Sequence, residues 1–128
     1  LGQAIFRVTR NGESSNELML PVVDSHPALF PTAVNENGSL NSAANPAAPG
    51  SIVIFYATGH GLIDGSSIRL EIAGAAAQLL YAGASPGAIG LLQVNARVPS
   101  PTAPGAASVK LFVRGAESQA GVELHVRN

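Results

Sequence analysis

The chain has 128 residues, of which 46% are hydrophobic and only 12% are charged, and this length suits a single domain with one hydrophobic core. The formal net charge is −1 and the basic residues are scattered singly, so nucleic acid and anionic membranes are poor partners, because both require clustered cations. The absence of Cys excludes disulfides, thiol catalysis and thiolate metal sites.

Alternation of apolar and polar residues with period two recurs along the chain, whereas amphipathic stretches of period 3.6 are missing. Near the start, Phe6 and Val8 alternate with polar residues and precede Asn11-Gly12, a dipeptide that tolerates positive φ in a tight turn. After the turn, apolar residues return with the same period at Leu18, Leu20 and Val22. This pattern predicts a β-hairpin.

The next stretch predicts an edge strand and then a central strand. Pro27 and Pro31 bracket three residues and remove backbone donors, which favours an edge or a crossover segment. Asn37-Gly38 predicts a second short hairpin, and an Asn-, Ala- and Pro-rich segment follows at residues 41–50. The run Ile52–Thr58 is apolar on both faces, so we expect it to be central and covered on both sides.

The rest of the chain repeats the same pattern. Further strands are predicted at residues 68–72, 77–81 and 91–98, and a last hairpin joins residues 109–113 to residues 122–126. We therefore predict an all-β sandwich of antiparallel hairpins with no substantial helix. Most aromatic side chains fall at strand positions, where we expect core packing to explain them: Phe6, Phe30, Phe55, Tyr56, Tyr81 and Phe112.

An internal similarity links the two ends of the chain. Residues 13–16 followed by Leu18, Leu20 and Val22 resemble residues 117–120 followed by Val122, Leu124 and Val126, at a fixed offset. Two interpretations stay open: the shared composition of hairpins, or true repetition. If the repetition is real, the chain begins with the closing hairpin of one module and contains the next.

Two motifs invite a catalytic or nucleotide-binding interpretation. Residues 83–87 match the G-x-S-x-G pattern, but the residue after Ser85 is Pro86, which has no N–H for an oxyanion hole, and no helix is predicted afterwards. A turn explains these residues. Gly59-His60-Gly61 follows a strand, but a strand rather than a helix is predicted next, so the glycines are expected only to turn the chain.

Neither metal ions nor cofactors are indicated. His26, His60 and His125 lie far apart in the sequence and beside no acidic cluster, and Asp64 lacks the alternate oxygen ligands of a calcium loop. His60 and Asp64 form the one combination that could orient a bound polar group, because both lie in one predicted loop. No residue set suits catalysis, and we expect a protein that is not an enzyme.

A resemblance rests on a combination of short motifs within residues 27–128. Together they resemble the uncharacterised C-terminal domain of secreted proteins from Solibacter-type acidobacteria. This chain departs from that pattern at His60 and Leu62. The motifs are residues 37–42, 45–53, 56–59, 80–83, 86–87 and 93–99.

The resemblance implies an exported domain with an immunoglobulin-like or IPT/TIG-like sandwich and no established activity. We divide the chain into an N-terminal hairpin, residues 1–26, and a sandwich, residues 27–128. We expect a non-catalytic structural or adhesive module located outside the cell or on its surface. It would belong to a multidomain secreted protein or to a surface filament assembled by strand addition, with other modules or copies of itself as partners.

The alternative expectation is a module that binds carbohydrate or a cell-wall polymer. It would use the loops at residues 59–65 and 84–90, because loops on such scaffolds carry function. The chain lacks Trp, so the usual aromatic platform for sugar is missing. The longest strongly apolar stretch, residues 52–57, is far shorter than the roughly 20 residues that span a bilayer, so we expect no membrane insertion.

Overall fold

A computed structural model describes residues 2–62 and 67–128, and strands are its only extended regular elements. The period-two alternation therefore predicted the structural class correctly. The strands, in chain order, are β1 (Gln3–Phe6), β2 (Thr9–Arg10), β3 (Glu13–Ser14), β4 (Leu18–Pro21), β5 (Ala28–Leu29), β6 (Val34–Asn35), β7 (Ile52–Thr58), β8 (Ile68–Ile72), β9 (Ala75–Ala76), β10 (Gln78–Ala84), β11 (Leu92–Arg97), β12 (Gly105–Val113), β13 (Ala116–Glu117) and β14 (Glu123–Val126).

Two five-stranded antiparallel sheets form the body of the molecule. The first has the order β10-β11-β7-β5, and β6 also pairs with β7. The second has the order β13-β12-β8-β9, and β14 also pairs with β12. The predicted all-β fold of antiparallel strands is confirmed, and the two open sheets around a shared core fit a β-sandwich.

Alternate residues of both sheets fill one hydrophobic core. Strand β7 contributes Val53, Phe55 and Ala57, and strand β12 contributes Val109 and Leu111, all of them buried. Burying a Val, Leu or Phe side chain contributes about 1.5–3 kcal/mol, so this core is the main source of stability. The other large buried side chains include Leu70, Ile72, Leu92, Val94, Val98, Val113 and Leu124.

Two expectations about packing are corrected. Strand β7 is central in its sheet, but Ile54 and Tyr56 on its outer side are only half-buried. Among the aromatic side chains, Phe55 lies in the core whereas Phe6 and Phe30 are exposed. Alternation shows which residues share a side of a strand, but it does not show whether another layer covers that side.

The chain enters and leaves the sandwich at opposite ends. At the entry, His26 donates a backbone hydrogen bond to the carbonyl oxygen of Gly59 (2.7 Å), and Ser25 Oγ donates to the carbonyl oxygen of Val113 (3.1 Å). At the exit, Val126 pairs with Gly105 at the start of β12. The nine residues of β12 separate these ends by about 30 Å.

Candidate interaction surface

Residues 2–22 form a hairpin that stands apart from the sandwich core. Strands β1 and β4 pair with each other, β2 and β3 continue the hairpin, and every residue from 2 to 24 is exposed. The structure thus brings together the two arms predicted from sequence. It also shows that they do not pack into the core of their own chain.

One side of the β1–β4 pair is entirely apolar. The register places Ala4 opposite Leu20 and Phe6 opposite Leu18, so these four side chains share a side. Alternation adds Val8 and Val22. We define the apolar hairpin face as the side chains of Ala4, Phe6, Val8, Leu18, Leu20 and Val22.

The other side of the hairpin is mixed. It carries Ile5 and Met19, which are opposite each other, together with an ion pair between Arg7 Nη1 and Glu17 Oε1 at 3.0 Å. Both members of the pair are about half exposed, so its contribution to stability is small. The two sides of one hairpin therefore differ in polarity, and substitutions can distinguish them.

An uncovered apolar hairpin requires an explanation, because an isolated two-stranded hairpin is at best marginally stable in water. Contiguous exposed apolar surface on a soluble domain is characteristic of a contact site for another protein. The apolar hairpin face is therefore the strongest candidate for a functional surface in the described part of the chain.

The described parts of the two predicted ligand loops begin at one end of the first sheet. Ala84, at the end of β10, pairs with Leu92, and Leu92 pairs in turn with Ala57 near the end of β7. The loops at residues 59–65 and 84–90 therefore begin at the same end. Leu62 and Ile89 in these loops are almost fully exposed.

Of the two predicted site residues, the structure describes one. His60 is half-buried, and its Nδ1 atom is buried without a hydrogen-bond partner in the described ranges 2–62 and 67–128. Asp64 lies outside the described residues. The predicted pairing of His60 with Asp64 stays a prediction.

Gly59 is required by a close approach as well as by a turn. Its φ is +72°, and a Cβ atom there would lie 2.0 Å from the carbonyl oxygen of His26. The glycine thus lets the entry segment contact the end of β7. The sequence indicated the turn but not the contact, which depends on residues distant in the chain.

The G-x-S-x-G match is a turn, as predicted. Ser85 follows strand β10, its backbone N–H donates to the carbonyl oxygen of Leu91 (2.8 Å), and strand β11 follows the turn. The Oγ atom of Ser85 lies 3.4 Å from Oε1 of Gln93, an amide that cannot act as a general base. In the described ranges, no three His, Asp or Glu side chains are grouped closely enough to hold a metal ion.

Sequence reasoning missed the structural role of the asparagines in residues 35–45. Asn35 and Asn41 are buried, and Asn41 Nδ2 donates to Asn35 Oδ1 at 3.0 Å. Asn35 Nδ2 donates to the carbonyl oxygen of Asn45 at 2.9 Å. These amides replace regular strand pairing where the chain crosses the sandwich edge. The abundance of Asn was a visible signal for this role.

Comparison with protein families and with curated proteins adds no relative. The sequence matches no protein-family model, and a search of curated proteins found no match. The resemblance to the acidobacterial C-terminal domain therefore stays a prediction. No helix in the described ranges is long and apolar enough to cross a membrane. The fold and surface define an antiparallel β-sandwich protein with an uncovered apolar hairpin.

Proposed function

We propose that this chain is a non-catalytic structural module of an extracellular protein, held to neighbouring protein modules by its N-terminal hairpin. The observation that carries the proposal is the exposure of the whole apolar hairpin face beside a sandwich whose core is already filled. Covering this face with another protein lowers the free energy, because its apolar side chains then leave water. Its partners are other modules of this kind, or copies of this chain in a surface filament.

The path of the chain supports a linear arrangement of modules. The chain enters the sandwich beside Gly59 and leaves it beside Gly105, at the opposite end. Modules joined through such ends form an extended row rather than a closed cluster. This geometry suits a protein that spans distance outside a cell.

The low charge of the chain also favours protein contacts. Only 12% of its residues are charged, and its mean hydropathy is positive at +0.25. Its surface therefore offers little repulsion to a neighbouring module. The extracellular location rests on the resemblance of residues 27–128 to domains of secreted proteins.

Sedimentation velocity tests whether the apolar hairpin face contacts protein. We expect the weight-average mass of the full chain to rise with concentration, because the uncovered faces of separate copies cover one another. In the double variant Phe6→Ser, Leu20→Ser this rise should disappear. Circular dichroism should show that both proteins keep the same strand content.

The matched control is the double variant Ile5→Ser, Met19→Ser, which changes the opposite side of the same strands. It should associate like the unmodified chain. A full chain that stays monomeric up to millimolar concentration, with Phe6 and Leu20 still in water, would contradict contact through this hairpin.

A second candidate function is binding of a polysaccharide at the loops of residues 59–65 and 84–90. It is favoured because residues 59–62 and residues 84–90 begin at the same end of the first sheet, where His60 carries a buried nitrogen without a partner in the described residues. Retention on insoluble cell-wall polymer should then fall in the variant His60→Ala, Asp64→Ala. Equal retention of the unmodified chain and a heat-denatured sample would reject this function.

A further inference from the structure

The N-terminal hairpin and the last hairpin have the same turn. In the first, Asn11 and Gly12 have φ values of 52° and 81°, and in the last, Arg114 and Gly115 have φ values of 49° and 84°. Two successive positive φ values are typical of the type I′ turn, which suits the twist of a two-residue hairpin. The two turns are 103 positions apart in the chain.

The same serine feature follows each turn. Ser15 donates its backbone N–H to the carbonyl oxygen of Val8 (2.9 Å), while its Oγ accepts from the N–H of Val8 (3.1 Å). Ser118 forms the equivalent pair with Leu111, at 2.8 Å and 3.0 Å. Similar amino-acid composition alone would not place a serine hydroxyl at the same position of the backbone hydrogen-bond ladder in both hairpins. The repetition is therefore structural.

The strand register continues the match and corrects the offset. Ala4 pairs with Leu20 as Ala107 pairs with Leu124. Residues before the turn and in the turn correspond to residues 103 positions later in the chain. The strand residues after the turn correspond to residues 104 positions later. The sequence comparison matched residues 13–16 with residues 117–120, and this match is therefore wrong by one position. The last hairpin has one extra residue between Ser118 and Val122, where Gly121 adopts a φ of +88°.

Burial separates the two hairpins. Val109 and Leu124 are 2% and 0% exposed, whereas their counterparts Phe6 and Leu20 are 55% and 47% exposed. The counterparts of Ala4, Val8, Leu18 and Val22 are Ala107, Leu111, Val122 and Val126, all of which are buried. The apolar hairpin face thus has the same pattern as the core-facing side of the last hairpin, which closes the sandwich at residues 105–126, but no core lies beneath it.

The other sides of the two hairpins differ in polarity. Ile5 and Met19 correspond to Ser108 and Glu123, which are exposed and polar in the closing hairpin. One backbone edge also differs. Residues 109–113 of β12 pair with β8, whereas in the described ranges β1 and β2, which contain most of the counterparts at residues 6–10, pair only with β4 and β3.

We propose that residues 2–22 are the closing hairpin of a second β-sandwich of this fold, in which they take the place that residues 105–126 occupy here. This inference rests on the proposed structural function and identifies the neighbouring module. The partner is a sandwich body equivalent to residues 24–104, open where β12 and β14 would lie. The apolar hairpin face fills its core, and the outer edge of residues 6–10, the counterparts of residues 109–113, pairs with its β8 equivalent.

A fusion protein tests the inference. A second copy of residues 24–104 is placed directly before Gly2 of the full chain, so that hairpin 2–22 follows this body as residues 105–126 follow it in the native chain. We expect amide hydrogen exchange in residues 2–22 to slow at least about 100-fold relative to the full chain alone, because the hairpin amides become part of a cooperative sandwich.

The positive control is the same fusion with residues 105–126 in place of residues 2–22. It shows how much protection a completed body provides. If this control is protected and the hairpin of residues 2–22 still exchanges as fast as in the full chain, the inference is wrong.

Substitutions identify which side of the hairpin docks. In the fusion, Phe6→Ser with Leu20→Ser should abolish the protection, and Ile5→Ser with Met19→Ser should preserve it. The reverse result would overturn the inference, because the hairpin would then dock through its other side. If the hairpin mediates self-association of the full chain but gains no protection in the fusion, the structural function stands and the second sandwich does not.

Discussion

Asn41 and the backbone of His125 form a reciprocal pair of hydrogen bonds. Asn41 Nδ2 donates to the carbonyl oxygen of His125 at 2.9 Å, and the N–H of His125 donates to Asn41 Oδ1 at 2.8 Å. The side-chain amide of Asn41 and the backbone of Ala47 thus pair with this edge of β14 in place of another regular strand. This contact joins a loop near residue 41 to the last strand of the sandwich.

Replacing Asn41 with Leu should lower the free energy of unfolding by about 3 kcal/mol. The substitution leaves the N–H of His125 and the Oδ1 atom of Asn35 without their partner, whereas the carbonyl oxygen of His125 keeps its hydrogen bond from the N–H of Ala47. Each unsatisfied buried polar group costs about 1–3 kcal/mol. Urea denaturation measures the change. Asn16→Leu, in the exposed hairpin, is the control and should change stability by less than about 0.5 kcal/mol. Equal effects at both positions would show that the amide pair contributes little.

Leu20 and Leu124 occupy equivalent hairpin positions in different surroundings. Leu124→Ala should destabilise the full chain by about 3 kcal/mol, because it removes atoms from a packed core and leaves a cavity. Leu20→Ala should cost less than about 0.5 kcal/mol, because this side chain is half exposed. Both values come from denaturant unfolding of the full chain. A cost of several kcal/mol for Leu20→Ala would show that the hairpin packs against its own sandwich.

Gly59→Ala should destabilise the sandwich more than Gly74→Ala. Both glycines have positive φ, at +72° and +77°, so both substitutions incur a backbone cost of about 1–2 kcal/mol. At Gly59 the added Cβ also meets the carbonyl oxygen of His26, which adds about 1–3 kcal/mol, whereas at Gly74 nothing lies within 4 Å. The difference between the two thermal midpoints isolates this contact. Equal midpoints would mean that the entry segment moves away without cost.

The ion pair between Lys110 Nζ and Glu117 Oε1, at 2.6 Å, raises the pKa of Lys110 above its ordinary value. The causes are the hydrogen bond to the carboxylate, then its charge, with a smaller contribution from Glu71. Because the folded pKa is raised, the pair stabilises the fold at neutral pH, and this stabilisation is lost as the pH rises through the raised pKa.

Glu117→Gln should lower the pKa of Lys110, which NMR titration of its ε-methylene protons can measure. The difference in unfolding free energy between the unmodified chain and this variant should shrink towards alkaline pH. Glu123→Gln is the control, because Glu123 is exposed on β14 and is not among the groups that raise the pKa of Lys110. An unchanged Lys110 titration in Glu117→Gln would show that the pair does not persist in solution.

Much of the fold could be predicted because the information is local. The apolar run at residues 52–58, the alternation in residues 68–72 and the Asn11-Gly12 turn each depend on a few neighbouring residues, and all three elements are present. The same locality explains why Ser85 could be assigned to a turn. Pro86 lacks an N–H in any fold.

The surface was harder to predict, since burial depends on what lies across from a strand. Phe6 and Val109 have similar sequence surroundings, and no period distinguishes the exposed residue from the buried one. The contact between Gly59 and His26 and the pairing of Asn41 with His125 likewise join segments far apart in the chain. Local alternation determines which side chains share a face. Only the packing of distant segments determines which faces are covered, and in this structure that packing leaves the N-terminal hairpin in water.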